Sequence, residues 1–81
     1  MRIIIHGMDN CVWCEMSKEL AHDAWLYGDV VAYNYHREEN PSEWLTSEGF
    51  EGKDRTMPKV YVDGELIGGY TELATLLLQK P

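Results

Sequence analysis

Apolar and polar positions change their period several times along this chain, and each change marks an element. Arg2-Ile3-Ile4-Ile5-His6 is a β-branched run closed by Gly7, which predicts a short strand covered on both faces. After the turn Gly7-Met8-Asp9-Asn10, the residues Trp13, Met16, Leu20, Ala24 and Tyr27 recur at steps of three and four. That spacing predicts a helix with these five on its buried stripe, stopped by Gly28. Glu15, Lys18, Glu19, His22 and Asp23 fall off the stripe and predict a solvated face. Val30 to Tyr35 reads as a second strand, and a strand, one crossover helix and a strand imply parallel pairing with a right-handed connection.

The second half is punctuated differently. Asn40-Pro41-Ser42-Glu43 combines an N-cap, a proline at the first helical position and a glutamate spaced for a capping box, so a short helix is expected to about Gly49. Lys59-Val60-Tyr61-Val62 and Glu65-Leu66-Ile67 flank Asp63-Gly64, the dipeptide of a type I′ hairpin, and predict two antiparallel strands. Thr71 is expected to cap a last helix that turns Leu73, Leu76 and Leu77 to the sheet and ends near Lys80-Pro81. The order is βαβαββα. Trp25 and Trp44 read as core or helix-face packing.

At 81 residues the chain has room for one domain, residues 1–81, with one core. No secretory leader is visible, because the apolar start turns polar at His6, and no run approaches the roughly 20 apolar residues that span a bilayer. A cytoplasmic protein that does not bind membranes is expected. Fourteen acidic against seven basic residues give a formal charge of -7, which repels phosphate backbones and argues against nucleic-acid binding. The excess serves solubility, with steering toward a basic partner as the other reading.

The chemistry concentrates in Cys11-Val12-Trp13-Cys14, the chain's two cysteines, at the predicted start of the first helix. Unpaired N–H groups and the positive end of the dipole converge there. They favour a thiolate, whose pKa falls from about 8.5 toward roughly 3.5 to 7.5 in such settings. Cys11 is thereby the candidate nucleophile, and Cys14, one turn along, the candidate resolving thiol. Val12 retains an N–H that a proline would lack, whereas Asp9 and Glu15 oppose thiolate formation. Structural zinc requires four ligands, and His6, His22 and His36 offer no second paired spacing, so no metal site is expected.

Three segments in order, Cys11-Val12-Trp13-Cys14, Arg55-Thr56-Met57-Pro58 and Gly68-Gly69-Tyr70-Thr71-Glu72-Leu73, make the chain resemble the glutaredoxin family over essentially its whole length. The resemblance implies a thioredoxin-like α/β fold with a four-stranded mixed sheet and three helices. It also implies a dithiol oxidoreductase that uses glutathione as reductant, with no permanently bound cofactor. Pro58 matches the family's cis-proline, and Met57 the residue whose backbone pairs with the cysteinyl part of glutathione. Gly69, Tyr70, Thr71 and Glu72 match the γ-glutamyl site, Glu72 standing where aspartate is usual.

Val12 and Trp13 replace the family's common proline and tyrosine. Met8 stands where a cation for the glycyl carboxylate is usual, leaving Arg55 or Lys53 to substitute. Non-proline pairs of this kind occur in bacteriophage-encoded members, which implies a host cytoplasm. A monomer with disulfide-containing protein substrates is implied, ribonucleotide reductase among them. Two further readings stay open. One is a redoxin reduced by a flavoprotein; the other is a glutathione and iron–sulfur binding module, a use that the presence of Cys14 disfavours.

Overall fold

The β-branched run forms β1 (Arg2–Gly7) in the middle of a four-stranded sheet, with β2 (Ala32–Arg37) parallel to it on one side and β3 (Lys59–Val62) antiparallel on the other. β4 (Glu65–Gly68) completes the order β2-β1-β3-β4 as an antiparallel edge. Among the described residues, helices α1 (Val12–Leu26), α2 (Pro41–Ser47) and α3 (Tyr70–Leu78) and one 3₁₀ turn at Gly52–Asp54 complete the regular structure. The computed structural model describes residues 1–79, and Lys80-Pro81, near which α3 is expected to end, lies outside them.

The expected order of elements is found, and the turn chemistry is the reason. Asp63 and Gly64 take φ of 51° and 85°, the two positive values of a type I′ turn. Asp63 also ties the hairpin to the start of β1, its Oδ1 accepting from the Arg2 N–H at 2.8 Å. Gly28, at φ 81°, ends α1 as expected, its N–H donating to the Trp25 carbonyl. Asn40 caps α2 through Oδ1, 3.3 Å from the Glu43 N–H, while the Glu43 carboxylate accepts from the Asn40 side-chain amide at 2.9 Å. β2 begins two residues later than expected: Val30 is buried before the strand starts, and register opposes Arg2 to Ala32.

One expectation about α1 is corrected. Its buried line is Cys14, Ser17, Ala21 and Ala24, not Trp13, Met16, Leu20, Ala24 and Tyr27. Trp13 is 56% and Tyr27 84% exposed, while Met16 is half-buried and Leu20 packs at the margin of the core. The stripe is displaced because a helix lying close on a sheet selects small side chains there, whatever the hydropathy of their neighbours. The buried Ser17 hydroxyl is satisfied inside the helix, donating to the Trp13 carbonyl at 2.8 Å. Ala21 and Ala24 meet Ile3, Ile5, Val30, Val60 and Leu73 in the core.

Strand alternation turns His6 to the opposite face. There its ring stacks on His36 (5.1 Å) and Trp44 (4.5 Å), Tyr61 stands edge-on at 5.6 Å, and Nδ1 lies 2.8 Å from Glu38 Oε2. Trp44 thereby lays α2 on this face. Lys59, otherwise buried, places its ammonium 4.5 Å from the centre of the Phe50 ring.

At the end of β1, a Cβ added to Gly7 would overlap the Tyr35 ring and hydroxyl. Gly7→Ala is expected to lose about 1–3 kcal/mol of stability in denaturant unfolding, and Tyr35→Ala in the same chain to recover part of it. Burial raises the pKa values of Tyr35 and Tyr61 above their ordinary value, with the Glu15 carboxylate adding to the effect at Tyr35. A phenol whose folded pKa is raised leaves stability intact below its unfolded pKa of about 10 and reduces it as pH rises through the folded value. A phenolate absorbance titration of the folded protein is expected to show two late tyrosines, with stability falling in that alkaline window.

Candidate active site

Position, more than residue type, makes the cysteine pair special. Cys11 is the N-cap of α1, in extended conformation, and its carbonyl accepts the Glu15 N–H at 3.1 Å. Its Sγ accepts the Cys14 N–H at 3.2 Å, so the backbone donor that meets the sulfur is that of Cys14. The two sulfurs form a disulfide with Cα atoms 5.2 Å apart. Cys11 keeps part of its surface in solvent, whereas Cys14 is fully buried.

The second expected segment lies directly opposite. The Met57–Pro58 peptide is cis, and the Met57 carbonyl sits 3.9 Å from Cys11 Sγ. In the disulfide form the sulfur has no proton to donate, so this is a contact. A groove of about 250 Å³ runs beside it, lined by Thr56, Met57, Pro58, Trp13 and the segment Gly69-Tyr70-Thr71-Glu72. Trp13 and Tyr70 lean on one another across its mouth, ring centres 5.4 Å apart.

At the start of α3 the geometry departs from expectation. Thr71 does not cap the helix: Gly69 is the N-cap residue and Tyr70 the first helical one. The cap is supplied by Glu72, whose Oε1 accepts the Gly69 N–H at 2.7 Å. Its return explains the glycine pair. A Cβ on Gly68, whose φ is 132°, would stand 2.5 Å from Glu72 Oε1, and one on Gly69 would stand 3.2 Å from the Pro58 carbonyl. The glycines thus let the α3 entry close against Pro58.

Val12, 70% exposed, lies beside Cys11 and outside the groove lining. Arg55 also stays outside it. Its guanidinium donates to Thr46 Oγ1 (2.9 Å), the Phe50 carbonyl (3.2 Å), the Ser42 carbonyl (3.0 Å) and Ser42 Oγ (2.9 Å). A side chain read from sequence as a ligand cation is therefore fastened to α2, holding the segment that leads into Thr56-Met57. Sequence reasoning also missed the Glu72 cap, although a glutamate three residues after Gly69 carries the capping-box spacing.

A glutaredoxin of Haemophilus influenzae is 30% identical to this chain over 84 residues, covering 99% of the chain and 94% of its own length. The chain belongs to the glutaredoxin family. Glutaredoxin 1 of Escherichia coli is 32% identical over 78 residues, which cover 91% of the chain and 89% of that protein. Among solved structures, reduced E. coli glutaredoxin superposes with a TM-score of 0.70 at 27% identity, over 99% of this chain and 96% of that one. The oxidised form gives the same values. No family model matches. The fold is thioredoxin-like, and the paired cysteines make this glutaredoxin a thiol–disulfide oxidoreductase.

Because Glu72 alone caps the α3 entry, Glu72→Ala is expected to lower stability by about 0.5–2 kcal/mol, and Glu72→Gln, which keeps an acceptor oxygen, by less. Thermal unfolding of the two variants checks this.

Proposed function

We propose that this glutaredoxin reduces disulfides through Cys11 as nucleophile and Cys14 as resolving thiol, and takes its electrons from glutathione. The observation that carries the reading is the partly exposed Cys11 at the helix N-terminus, its Sγ 3.2 Å from a backbone N–H, beside a fully buried Cys14. In the reduced protein the same donor and the helix dipole favour a Cys11 thiolate.

The thiolate attacks one sulfur of the substrate disulfide, forming a mixed disulfide and expelling the other sulfur as a thiolate. Cys14 then loses its proton and attacks Cys11 Sγ, releasing the second substrate thiolate and closing the 11–14 disulfide. Two electrons have passed to substrate. One glutathione thiolate reopens the disulfide at Cys11 and frees Cys14. A second attacks the glutathione sulfur of that mixed disulfide, yields glutathione disulfide and restores the Cys11 thiolate.

Glutathione lies in the groove beside Cys11 in this reading. The Met57 backbone pairs with its cysteinyl part, with Thr56 and Pro58 flanking. The N–H groups at the Tyr70 and Thr71 end of α3, with the Thr71 hydroxyl, take its γ-glutamyl carboxylate. Glu72, beyond its bond to Gly69, faces the amine, and Val12 and Trp13 border the reacting sulfur. Arg55 acts through the segment it fastens. The enzyme works as a cytoplasmic monomer, and ribonucleotide reductase is the protein substrate to which the family resemblance points.

Glutathione-dependent reduction of a glutathione mixed disulfide tests the roles. Cys11→Ser is expected to fall to the uncatalysed background, while Cys14→Ser keeps turnover of that substrate and loses two-step reduction of protein disulfides. Alkylation of reduced Cys11 against pH is expected to titrate below the ordinary thiol value of about 8.5. Full activity in Cys11→Ser would overturn the assignment.

A further inference from the structure

The seam between α1 and α3 opens into a second groove, about 230 Å³, lined by Met16, Glu19, Leu20, Asp23 and Tyr70. It adjoins the glutathione-sized groove through Tyr70, which lines both, and Trp13 leans on Tyr70 at the junction. The two grooves therefore meet at Tyr70, with Trp13 and the start of α1 beside them.

The seam has an apolar floor and an acidic wall. Met16, Leu20 and Tyr70 form the floor, and Glu19 and Asp23, four residues apart on one helix face, form the wall. Both carboxylates are exposed, and neither has a hydrogen bond or ion pair among the described residues. The cation of α1, Lys18, is held elsewhere: Glu15 binds it at 3.0 Å, raising its pKa, and its ammonium lies 4.7 Å from the centre of the Tyr35 ring on β2. His22 is engaged with the Tyr33 hydroxyl at 2.6 Å, and α3 contributes Glu72 and no cation. Charge of one sign thus borders an apolar trough.

We propose that this seam docks the segment of a protein substrate that flanks its reactive cysteine, and that the segment carries a lysine or arginine. The aliphatic stem of such a side chain lies along Leu20 and Met16 and against Tyr70, while its charged head reaches Glu19 and Asp23. Charge complementarity selects this occupant over an acidic or uncharged one. Helical rise puts Glu19 and Asp23 roughly 12–18 Å along α1 from Cys11. An extended chain covers that in about four to six residues, which sets where the cation stands relative to the cysteine. The proposal rests on Cys11 as the attacking thiol.

The test uses the whole protein, glutathione, and synthetic peptides whose single cysteine is in mixed disulfide with glutathione. Each bears Lys or Glu five positions before or after the cysteine. Hydroxyethyl disulfide, too small to reach the seam, is the reference substrate. At low salt, kcat/KM for a Lys peptide is expected to exceed that for its Glu counterpart about five-fold or more, the ratio shrinking toward one near 1 M salt.

Glu19→Lys with Asp23→Lys is expected to abolish or invert the ratio and leave hydroxyethyl disulfide turnover within about two-fold of wild type. Glu51→Lys with Glu65→Lys, an equal change of net charge away from the seam, is expected to keep the preference. Equal rates for all peptides, or a preference that survives the seam variant or vanishes in both double variants, would overturn the docking proposal while small-disulfide turnover continues. Loss of that turnover in wild type would remove the Cys11 reading instead, and the docking proposal with it.

Discussion

How closely α1 lies on the sheet sets nearly everything else in this molecule. Cys14, Ser17, Ala21 and Ala24 form a line of small buried side chains, and no bulky residue on that line holds the helix off Ile3, Ile5 and Val60. Close approach brings the amino end of α1 down beside the loop that precedes β3. That is why Cys11 Sγ comes within 3.9 Å of the Met57 carbonyl although 46 residues separate them. Larger side chains at Ser17 or Ala21 would lift the helix and part the sulfur from its wall, even with every cysteine in place. Trp13, carried on the outward side of the same turn, is left free to meet Tyr70.

The wall itself is held from two directions. Arg55 ties the approach to Thr56-Met57 onto α2 with three hydrogen bonds and onto the loop after it with a fourth, and α2 is in turn laid on the sheet by Trp44 stacking on His6. On the far side the α3 entry closes on the Pro58 carbonyl, which it can do because Gly69 has no Cβ and Glu72 folds back onto its N–H. A groove held by backbone groups and a capped helix start is preorganised, and preorganisation lowers the ordering cost of binding an extended ligand.

What could be read from the residues alone was governed by the backbone. Asp63-Gly64 demands positive φ at two successive positions, Gly28 a left-handed stop, and Asn40-Pro41 a helix start. Each constraint is local and holds whatever the rest of the chain does. Cys11 at the head of α1 follows from the same kind of punctuation. The buried side of α1 was misread because hydropathy ranks Trp13 and Tyr27 above Ser17, whereas the sheet selects by size and a helical serine can satisfy its own hydroxyl. Thr71 lost the cap to Gly69 because the glutamate three residues on met the orphan N–H first. Arg55 was ambiguous for a different reason: its partners, Ser42, Thr46 and Phe50, come from a helix and loop whose placement depends on Trp44 meeting His6, a contact across the sheet that no local pattern encodes.

The unequal burial of the two sulfurs has an outcome of its own. With Cys14 sealed beneath the helix and Cys11 at its rim, the pair presents a single door to the surroundings. Whatever approaches from solvent meets the Cys11 side of the pair. The inner one is shielded by shape, with no need to be chemically inert.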